Sequence, residues 1–535
     1  MTILEKNIQA LLSGVNEPLG NKLLNFIQNK TCSRFNIDEN LNIYDKTHNV
    51  FMYENLEEEL NFFYQSILEK TPRYPFVCIY GIGNALLIKN LAKHYKHLFV
   101  FESEIELFIL ALSTIDLSEE LCSGKIYLVD IEEERVDIQL LILFDMKDMF
   151  EYLSLYEMFV NNSFYKQFCE KTWCETDEFC KKNIEIVIRD SGLNSNLSFQ
   201  SYFHFLQNIP SMLESIPFQR ILSQRKNKFD NAIVVSAGPS LAKQLPLLKA
   251  CQDKAVIFCA DGALSMLEKE GIVPDYVTNL DFTDLAMKFF QNKENKTSLN
   301  ILSCATHPNV AHSLKAENCM IVLRNKALYQ RFNFNDFGYI DTGTHVSHFS
   351  YTLALALGFK NIIMIGQDLA FDEEGNSHSK GFDFGEKFSG EENIDKLKIP
   401  AYAGKGEVLT HTTWNDYRIK LEYLFACNDQ KAKFYNATEG GARINFTEEL
   451  SFKECCEKLL TKEKPKFELP KSLTKNRSDK LLVKFKEKIQ KDQENAKRFL
   501  DDALALKQIL ENILSKDFIL PLEFLEKVYQ NIENF

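Results

Sequence analysis

The residues best suited to bind a phosphate group are Gly238, Pro239 and Ser240, which directly follow an apolar run at 232–235. Glycine lets a ligand approach the backbone closely, proline fixes the turn, and the Ser240 hydroxyl can cap a following helix. Exposed amides at a helix N-terminus are a natural phosphate site. We therefore predict a phosphate-binding turn here, with a plain strand-to-helix turn as the alternative.

Polar side chains also stand where other predicted strands end. They are Asp261 after the run at 255–260, Asn279 and Asp281 after 276–278, and Asp368 after 361–365. The carboxyl ends of parallel strands meet at one edge of a sheet, where doubly wound folds bind their ligands. We predict that these side chains contact one polar ligand through its ribose hydroxyls and base edge. Ordinary loop chemistry, which also favours Asp and Asn, is the alternative.

Two histidines, His378 and His411, stand in polar segments and not on an apolar helical face. A buried structural role is therefore less expected than usual, and histidine is the side chain best suited to accept a proton near neutral pH. A surface position is the alternative for both. Further histidines at 307, 345 and 348 belong to the same region.

No metal site is predicted. Asp281 and Asp284 are spaced Asp-x2-Asp, wider than the Asp-x-Asp pair that commonly holds a cation on a diphosphate. The 13 cysteines include no C-x2-C pair, and we expect free thiols in a reducing compartment. A divalent metal is thus possible but not predicted.

Alternating strands and helices over residues 228–445 would position these side chains. The predicted strands are 232–236, 255–260, 276–279, 300–304, 320–324, 361–365 and 433–436, and the clearest helix is 347–357. Such alternation is typical of a doubly wound, Rossmann-like α/β domain.

A smaller α/β pattern precedes it, with predicted strands at 76–80, 97–101 and 125–130. The turn Gly81-Ile82-Gly83 follows the first strand, and Glu102 follows the second. This arrangement is similar to the nucleotide or S-adenosylmethionine sites of Rossmann-like folds. The third glycine of that motif is missing, which favours a structural turn over a ligand site.

These patterns divide the chain into three predicted domains. Residues 1–225 form an N-terminal α/β domain with a helical connector, 228–445 the central domain, and 446–535 a helical C-terminal domain. After about residue 470 charged residues and apolar residues at helical spacing predict long amphipathic helices.

Composition bears on the partners of the chain, which has 535 residues and a formal net charge of −13. An acidic chain lacks the general positive potential that nucleic-acid binding requires. No segment approaches the roughly 20 apolar residues that span a bilayer, and the first residues are not typical of a secretory signal. We predict a soluble cytoplasmic protein without nucleic-acid partners or membrane insertion.

Residues 234–241, 271–275 and 366–371 together resemble the motility-associated-factor proteins of flagellated bacteria. Their shared domain, which the resemblance places at 228–445, also occurs in archaeal 6-hydroxymethylpterin diphosphokinases, and the flanking regions fit the flagellar proteins in size and order.

The same domain is similar to the bacterial sialyltransferases that decorate lipo-oligosaccharide. Gly238-Pro239-Ser240-Leu241 matches their opening motif, Asn279 their strand-end asparagine, and Gly366-Gln367-Asp368 their Gly-x-Asp. His378 falls near their phosphate-binding tyrosine, and His411 on their histidine base, although Thr410 replaces the preceding glycine.

The resemblance implies transfer of a nonulosonic acid, pseudaminic or legionaminic acid, from its CMP form to Ser or Thr of flagellin, as flagellar assembly and motility require. The Gly238 turn would hold the phosphate, Asn279 the ribose or cytosine, and His411 would deprotonate the acceptor hydroxyl. Asp368 and His378 would complete the donor site, together with Asp261 and Asp281, which the strand ends predict. No cofactor is implied, and direct attack would invert the anomeric carbon.

Two other functions stay open. A pterin diphosphokinase would use ATP and magnesium, for which Asp281, Asp284 and Asp368 could supply ligands. A flagellin-binding chaperone without catalysis is the second alternative, and it would not need to recognise a CMP-sugar.

Overall fold

A computed structural model describes residues 2–13, 16–133, 135–191, 195–290, 298–388 and 395–514. The chain forms two compact units, Met1–Asn194 and Ser195–Phe535. The helical connector predicted at the end of the first domain is therefore divided between the two units. The three domain ranges given above stay a prediction.

The first unit contains a three-stranded antiparallel sheet in the order β1-β2-β3 and a four-stranded parallel sheet in the order β6-β5-β4-β7. Its strands are β1 (Phe35–Ile37), β2 (Ile43–Asp45), β3 (Val50–Phe51), β4 (Phe76–Tyr80), β5 (His97–Glu102), β6 (Ile126–Asp130) and β7 (Met158–Val160). Its helices are α1 (Ile3–Leu11), α2 (Glu17–Asn29), α3 (Leu56–Lys70), α4 (Leu86–Leu91), α5 (Ile105–Thr114), α6 (Ser118–Cys122), α7 (Val136–Phe144), α8 (Lys147–Phe150), α9 (Ser163–Phe168) and α10 (Glu170–Ser191).

The second unit is built on a nine-stranded sheet in the order β13-β12-β11-β10-β9-β8-β14-β17-β18, and each neighbouring pair is parallel. A separate antiparallel hairpin joins β15 to β16. The strands are β8 (Asn231–Val235), β9 (Val256–Ala260), β10 (Tyr276–Asn279), β11 (Leu299–Ser303), β12 (Cys319–Arg324), β13 (Tyr339–Ile340), β14 (Asn361–Ile365), β15 (Lys396–Pro400), β16 (Glu407–His411), β17 (Lys433–Asn436) and β18 (Glu448–Glu449).

Helices of the second unit connect and cover these strands. They are α11 (Ser195–Glu214), α12 (Phe218–Arg225), α13 (Leu241–Cys251), α14 (Leu264–Lys269), α15 (Ala286–Phe290), α16 (Pro308–Ser313), α17 (Ala327–Gln330), α18 (Val346–Leu357), α19 (Thr412–Ala426), α20 (Phe452–Lys458) and α21 (Lys475–Leu514).

The central sheet has an apolar core on each face. Along β8, Ala232 and Val234 belong to one hydrophobic cluster, and Ile233 and Val235 belong to another. Successive side chains of a strand point to opposite faces, so a strand buried on both sides is a continuous apolar run. This explains why the apolar runs predicted the strands, and it confirms the doubly wound α/β class.

The strand order reverses at β8, which is the feature that positions the site. From β8 the chain adds β9 to β13 on one side, then returns to place β14, β17 and β18 on the other. At such a reversal the loops after the two adjacent strands, β8 and β14, leave toward opposite faces of the sheet and open a crevice beyond the carboxyl ends of the strands.

The long helix α21 confirms the predicted helical character of the C-terminal region. Its apolar residues Leu481, Leu482, Phe485 and Ile489 recur at helical spacing and pack against the cluster that contains Phe205. Within the described parts of the chain, no helix has the length and apolar character needed to cross a membrane.

Candidate functional site

A cavity of about 220 Å³ lies at the point where the strand order reverses. Three loops form most of its wall: residues 236–238 after β8, 260–262 at the end of β9, and 366–369 after β14. The end of α15, the start of α18, the first two turns of α19 and the segment after β14 close the remaining sides, with Phe289, His345, Val346, Ser347, Ser377, His378, Phe382, Trp414 and Tyr417. The predicted residues Gly238, Asp261, Asp368 and His378 are thereby brought together.

Only glycine fits at position 238. Its N–H donates a hydrogen bond to the Gly366 carbonyl at 2.8 Å, so the loops after β8 and β14 touch through their backbones. A Cβ atom at Gly238 would lie 2.2 Å from Asp368 Oδ2 and 2.5 Å from the Gly366 oxygen. Such distances are far inside van der Waals contact, and any side chain there would force the loops apart.

The predicted capping role of Ser240 is wrong. Its hydroxyl donates to Asp368 Oδ2 at 2.8 Å, and its N–H lies 3.3 Å from both carboxylate oxygens of that residue. The cap comes from Ser379, whose Oγ accepts the Ala242 N–H at 3.0 Å. An acidic side chain of the protein therefore occupies the helix N-terminus, where the macrodipole favours negative charge.

Asp368 is almost fully buried. Burial raises its pKa to about 6, although the hydrogen bonds from Ser240 and the charge of Lys243 act in the opposite direction. A carboxyl group with this pKa changes protonation close to physiological pH and can therefore exchange a proton there.

Asn279 lies behind Asp261 and does not line the cavity. Its Nδ2 donates to Asp261 Oδ2, and Asp261 Oδ1 accepts the Gly262 N–H at 2.7 Å. Asn279 Oδ1 is buried and accepts no hydrogen bond from any described residue. In this arrangement Asn279 orients Asp261, which faces the cavity.

Asp281 and Asp284 stand apart from the cavity. Asp281 accepts hydrogen bonds from the Thr283 N–H at 2.8 Å and the Thr283 hydroxyl at 3.0 Å, which is ordinary turn chemistry. Asp284 contacts His307 Nε2 at 3.0 Å. Among the described residues no group of three or more His, Cys, Asp or Glu side chains is arranged to hold a metal ion.

His378 faces the cavity with its ring stacked on Phe382, at 3.9 Å between centroids and 6° between planes. Its Nδ1 lies 3.0 Å from the Ser377 hydroxyl. Burial lowers its pKa to about 4. The ring is therefore neutral at pH 7, with one nitrogen that donates a hydrogen bond and one that accepts.

His411 ends β16 and caps α19, and it does not line the cavity. Its Nδ1 accepts the Trp414 N–H at 3.3 Å, and its ring lies 4.0 Å from the Trp414 ring. Burial, with the nearby Lys396, lowers its pKa to about 4. Because Nδ1 accepts a backbone N–H, the neutral ring carries its proton on Nε2. The catalytic role of His411 stays a prediction.

The sequence did not single out several residues of the cavity wall. His345 caps α18 through Nδ1, which lies 3.3 Å from the His348 N–H, and its ring stacks on Tyr417 at 4.6 Å. Gln367 accepts hydrogen bonds from the Ser236 hydroxyl at 2.9 Å and the Tyr351 hydroxyl at 3.2 Å. Gln367 directly precedes Asp368 in the Gly-x-Asp segment, so its position beside a predicted site residue could have indicated that it lines the cavity.

A second, larger opening of about 790 Å³ lies beside the first. Its wall is strongly charged and includes Pro239, Ser240, Lys243, Asp368, Phe371, Asp372, Glu373, Glu374, Ala401, Tyr402, Lys405, Val408, Glu439, Gly440, Gly441 and Ser451. We call it the charged cleft. The predicted residues Pro239 and Ser240 face this cleft and not the cavity.

In the first unit, protein side chains fill the Gly81-Ile82-Gly83 turn. The Tyr165 hydroxyl accepts the Gly83 N–H at 3.1 Å and donates to Glu102 Oε2 at 2.5 Å. A Cβ atom at Gly81 would lie 2.3 Å from the Tyr165 ring. The turn is thus packed against tyrosine, in agreement with the structural interpretation of this motif.

Comparison with known proteins gives one family match and a similar solved structure. Residues 203–374 match the family described as 6-hydroxymethylpterin diphosphokinase MptE-like, which confirms the predicted resemblance to that domain. Among solved structures, the chain is similar to a MAf glycosyltransferase from Magnetospirillum magneticum AMB-1. The identity is 17%, the TM-score is 0.44, and the alignment covers 91% of this chain and 78% of that one. No curated protein matches the chain.

Proposed function

We propose that this protein is a glycosyltransferase that moves pseudaminic or legionaminic acid from its CMP form to Ser or Thr of flagellin. The observation that carries the proposal is that four residues predicted to bind the donor, Gly238, Asp261, Asp368 and His378, line one cavity. That cavity lies where doubly wound folds bind nucleotides. The transfer would take place in the cytoplasm and serve flagellar assembly and motility.

The chemistry of the wall suits a nucleotide sugar. Asp261 and Asp368 supply carboxylate oxygens that accept hydrogen bonds from ribose or sugar hydroxyls. Trp414, Tyr417 and the stacked His378 supply flat faces against which a base or sugar ring can pack. Neither Lys nor Arg is among the described residues that line it. The single phosphate of the donor would therefore depend on N–H donors, which include His378 and the backbone.

The size of the cavity limits what it can enclose. At about 220 Å³ it is smaller than the roughly 300–1,000 Å³ of most ligand pockets. We expect it to hold the nucleotide part of the donor, while the nonulosonic acid extends past Asp368 toward the charged cleft. Because only one phosphate needs a partner, we propose that the transfer requires no cofactor or metal ion.

Direct attack by the acceptor hydroxyl would invert the anomeric carbon. The transition state of such a transfer has oxocarbenium character, and nearby carboxylates stabilise positive charge in a water-poor site. Orientation of the donor and acceptor would supply much of the remaining rate enhancement.

The test is to incubate the purified protein with unglycosylated flagellin and CMP-pseudaminic acid, or CMP-legionaminic acid, and to record the intact flagellin mass. We expect increments of one nonulosonic acid residue, and loss of them in Asp261→Ala. A flagellin mass that stays constant with both donors, despite folded protein, would contradict the proposal.

A pterin diphosphokinase is the second candidate, because the matched family is named for that activity. Formation of AMP from ATP in the presence of 6-hydroxymethylpterin and magnesium would favour it. Binding of flagellin without any binding of CMP-sugar would favour a chaperone.

A further inference from the structure

One side chain separates the two openings of the second unit. Asp368 lines the 220 Å³ cavity and also the 790 Å³ charged cleft, and it is the one described residue that the two walls share. A group bound in the cavity and a group entering the cleft would therefore meet at this carboxylate.

The carboxylate is held firmly, yet one of its oxygens has spare acceptor capacity. Oδ2 accepts the Ser240 hydroxyl at 2.8 Å, whereas Oδ1 lies a long 3.3 Å from the Ser240 N–H. On the main chain, the Ala442 N–H donates to the Asp368 carbonyl at 2.7 Å. A carboxylate oxygen has about two lone-pair directions, so Oδ1 can accept a further hydrogen bond from a bound hydroxyl.

His411 is less well placed for the same task. It lines neither opening, and its Nδ1 accepts the Trp414 N–H that begins α19. The remaining nitrogen, Nε2, carries the proton in the neutral ring and cannot accept a second one without a change of tautomer that breaks the cap.

We propose that Asp368 is the general base and that the acceptor segment enters through the charged cleft. This proposal rests on the transfer proposed above. Asp368 Oδ1 takes the proton of the acceptor Ser or Thr hydroxyl, and the hydroxyl oxygen forms a bond to the anomeric carbon. The bond from that carbon to the phosphate oxygen breaks, and its electron pair leaves with CMP. The proton remains on Asp368 until solvent removes it.

This role sets the direction of the pH dependence. A base must be deprotonated, and burial holds the pKa of Asp368 at about 6, so the rate of transfer should rise as the pH increases through that value. The titratable and charged groups that face the same two openings are Lys243, Asp261, His345, His378, Asp372, Glu373, Glu374, Tyr402, Lys405, Tyr417 and Glu439.

The decisive variant is Asp368→Asn, which keeps the shape of the side chain and one acceptor oxygen. We expect kcat to fall by about 10²–10⁴-fold, the usual contribution of a general base, while the Kd for CMP changes less than about fivefold. If Asp368 had only a structural role, its replacement would change kcat and the Kd for CMP together, or would change neither.

Ser240→Ala provides a second readout, because it leaves the Asp368 carboxylate in place and removes only a hydrogen bond to it. Loss of a hydrogen bond to the charged form raises the pKa of a buried acid, so the acidic limb of the kcat profile should move to higher pH. His411→Asn, whose side chain can still cap α19, should leave that limb where it is in the unmodified protein.

Transfer by Asp368→Asn within about threefold of the unmodified rate would overturn the assignment of the base and leave the proposed function intact. An acidic limb that disappears in His411→Asn, or stays unmoved in Ser240→Ala, would also overturn it. Absence of transfer by the unmodified protein would overturn the proposed function and this assignment with it.

Discussion

The glycine turns at Gly81 and Gly238 follow strands in the middle of two different parallel sheets, and each lies against a buried carboxylate. In the first unit, Glu102 accepts the Ile82 N–H at 3.2 Å and the Tyr165 hydroxyl at 2.5 Å. In the second unit, Asp368 accepts the Ser240 hydroxyl at 2.8 Å. The local designs are alike, but the Tyr165 ring packs on the first turn, whereas the second turn borders a cavity.

The difference comes from residues far along the chain. Tyr165 in α9 fills the space above Gly81, while the aromatic residues near Gly238, including His378 and Trp414, stand around an open volume. A glycine-rich turn therefore indicates that the backbone can be approached closely, but it does not indicate whether a ligand or a side chain makes the approach.

Removal of the tyrosine ring tests the first half of the comparison and has the largest expected effect. Tyr165→Ala should destabilise the first unit by about 3–5 kcal/mol, because it leaves a cavity and takes a hydrogen-bond partner from Glu102 and Gly83. Urea denaturation followed by circular dichroism measures this change.

Tyr165→Phe is the matched control, since it keeps the ring and removes only the hydroxyl. A loss of about 1–3 kcal/mol is expected there. If Tyr165→Ala instead costs less than Tyr165→Phe, the ring does not support the turn and the comparison fails.

The charged form of the Asp368 carboxylate is expected to lower the free energy of unfolding. Burial raises the pKa of Asp368 to about 6 from its ordinary value of 3.8, so the folded state binds the proton more tightly than the unfolded state does. Its contribution to stability is therefore greatest below pH 3.8 and is lost as the pH rises through 6.

Asp368→Asn should consequently be more stable than the unmodified protein at pH 8, by on the order of 2–3 kcal/mol, with the difference shrinking toward pH 4. Thermal unfolding at several pH values measures it. A variant that is less stable at pH 8 would show that the charged form of Asp368 is favoured in the fold.

Gly238→Ala tests the close contact between the loops after β8 and β14. The added Cβ would clash with Asp368 Oδ2 and the Gly366 carbonyl, so we expect a loss of about 1–3 kcal/mol and weaker binding of CMP. Thermal unfolding and isothermal titration calorimetry measure the two effects.

Gly440→Ala serves as its control, because the nearest atom to a Cβ there is Asp368 Oδ1 at an ordinary 3.5 Å. Equal losses of stability in the two variants would mean that the Gly238 contact has no special importance.

The smallest effect is expected at the helix cap. Ser379→Ala removes the acceptor of the Ala242 N–H and should cost about 0.5–2 kcal/mol, the usual value of an N-cap. The unfolding free energy in urea measures it, and a change near zero would mean that water replaces the hydroxyl at no cost.

The sequence predicted the strands that are buried on both faces and missed those that are short or exposed. The runs at 276–279, 361–365 and 433–436 coincide with β10, β14 and β17. By contrast, β13 and β18 have two residues each, too few for a pattern, and β15 contains alternating lysines. Periodicity reports burial, so strands outside the core leave little trace in it.

For the site, the sequence predicted which residues follow the strands and face the cavity, but it did not predict which side chains bond to one another. Asp261 and Asp368 face the cavity because they follow β9 and β14, the parallel strands on either side of β8. The cap on α13 comes from Ser379, and His345 lines the cavity from the start of α18. Both facts depend on segments that approach only in the folded chain, so spacing along the sequence could not reveal them.

The position of Trp414 gives the cavity a built-in optical signal. The chain has two tryptophans, Trp173 in α10 and Trp414 on the cavity wall beside the His411 ring. In a Trp173→Phe variant all tryptophan emission would come from the cavity wall. Occupancy of the cavity could then be followed by fluorescence without any label, and candidate nucleotides could be ranked before a single turnover is measured.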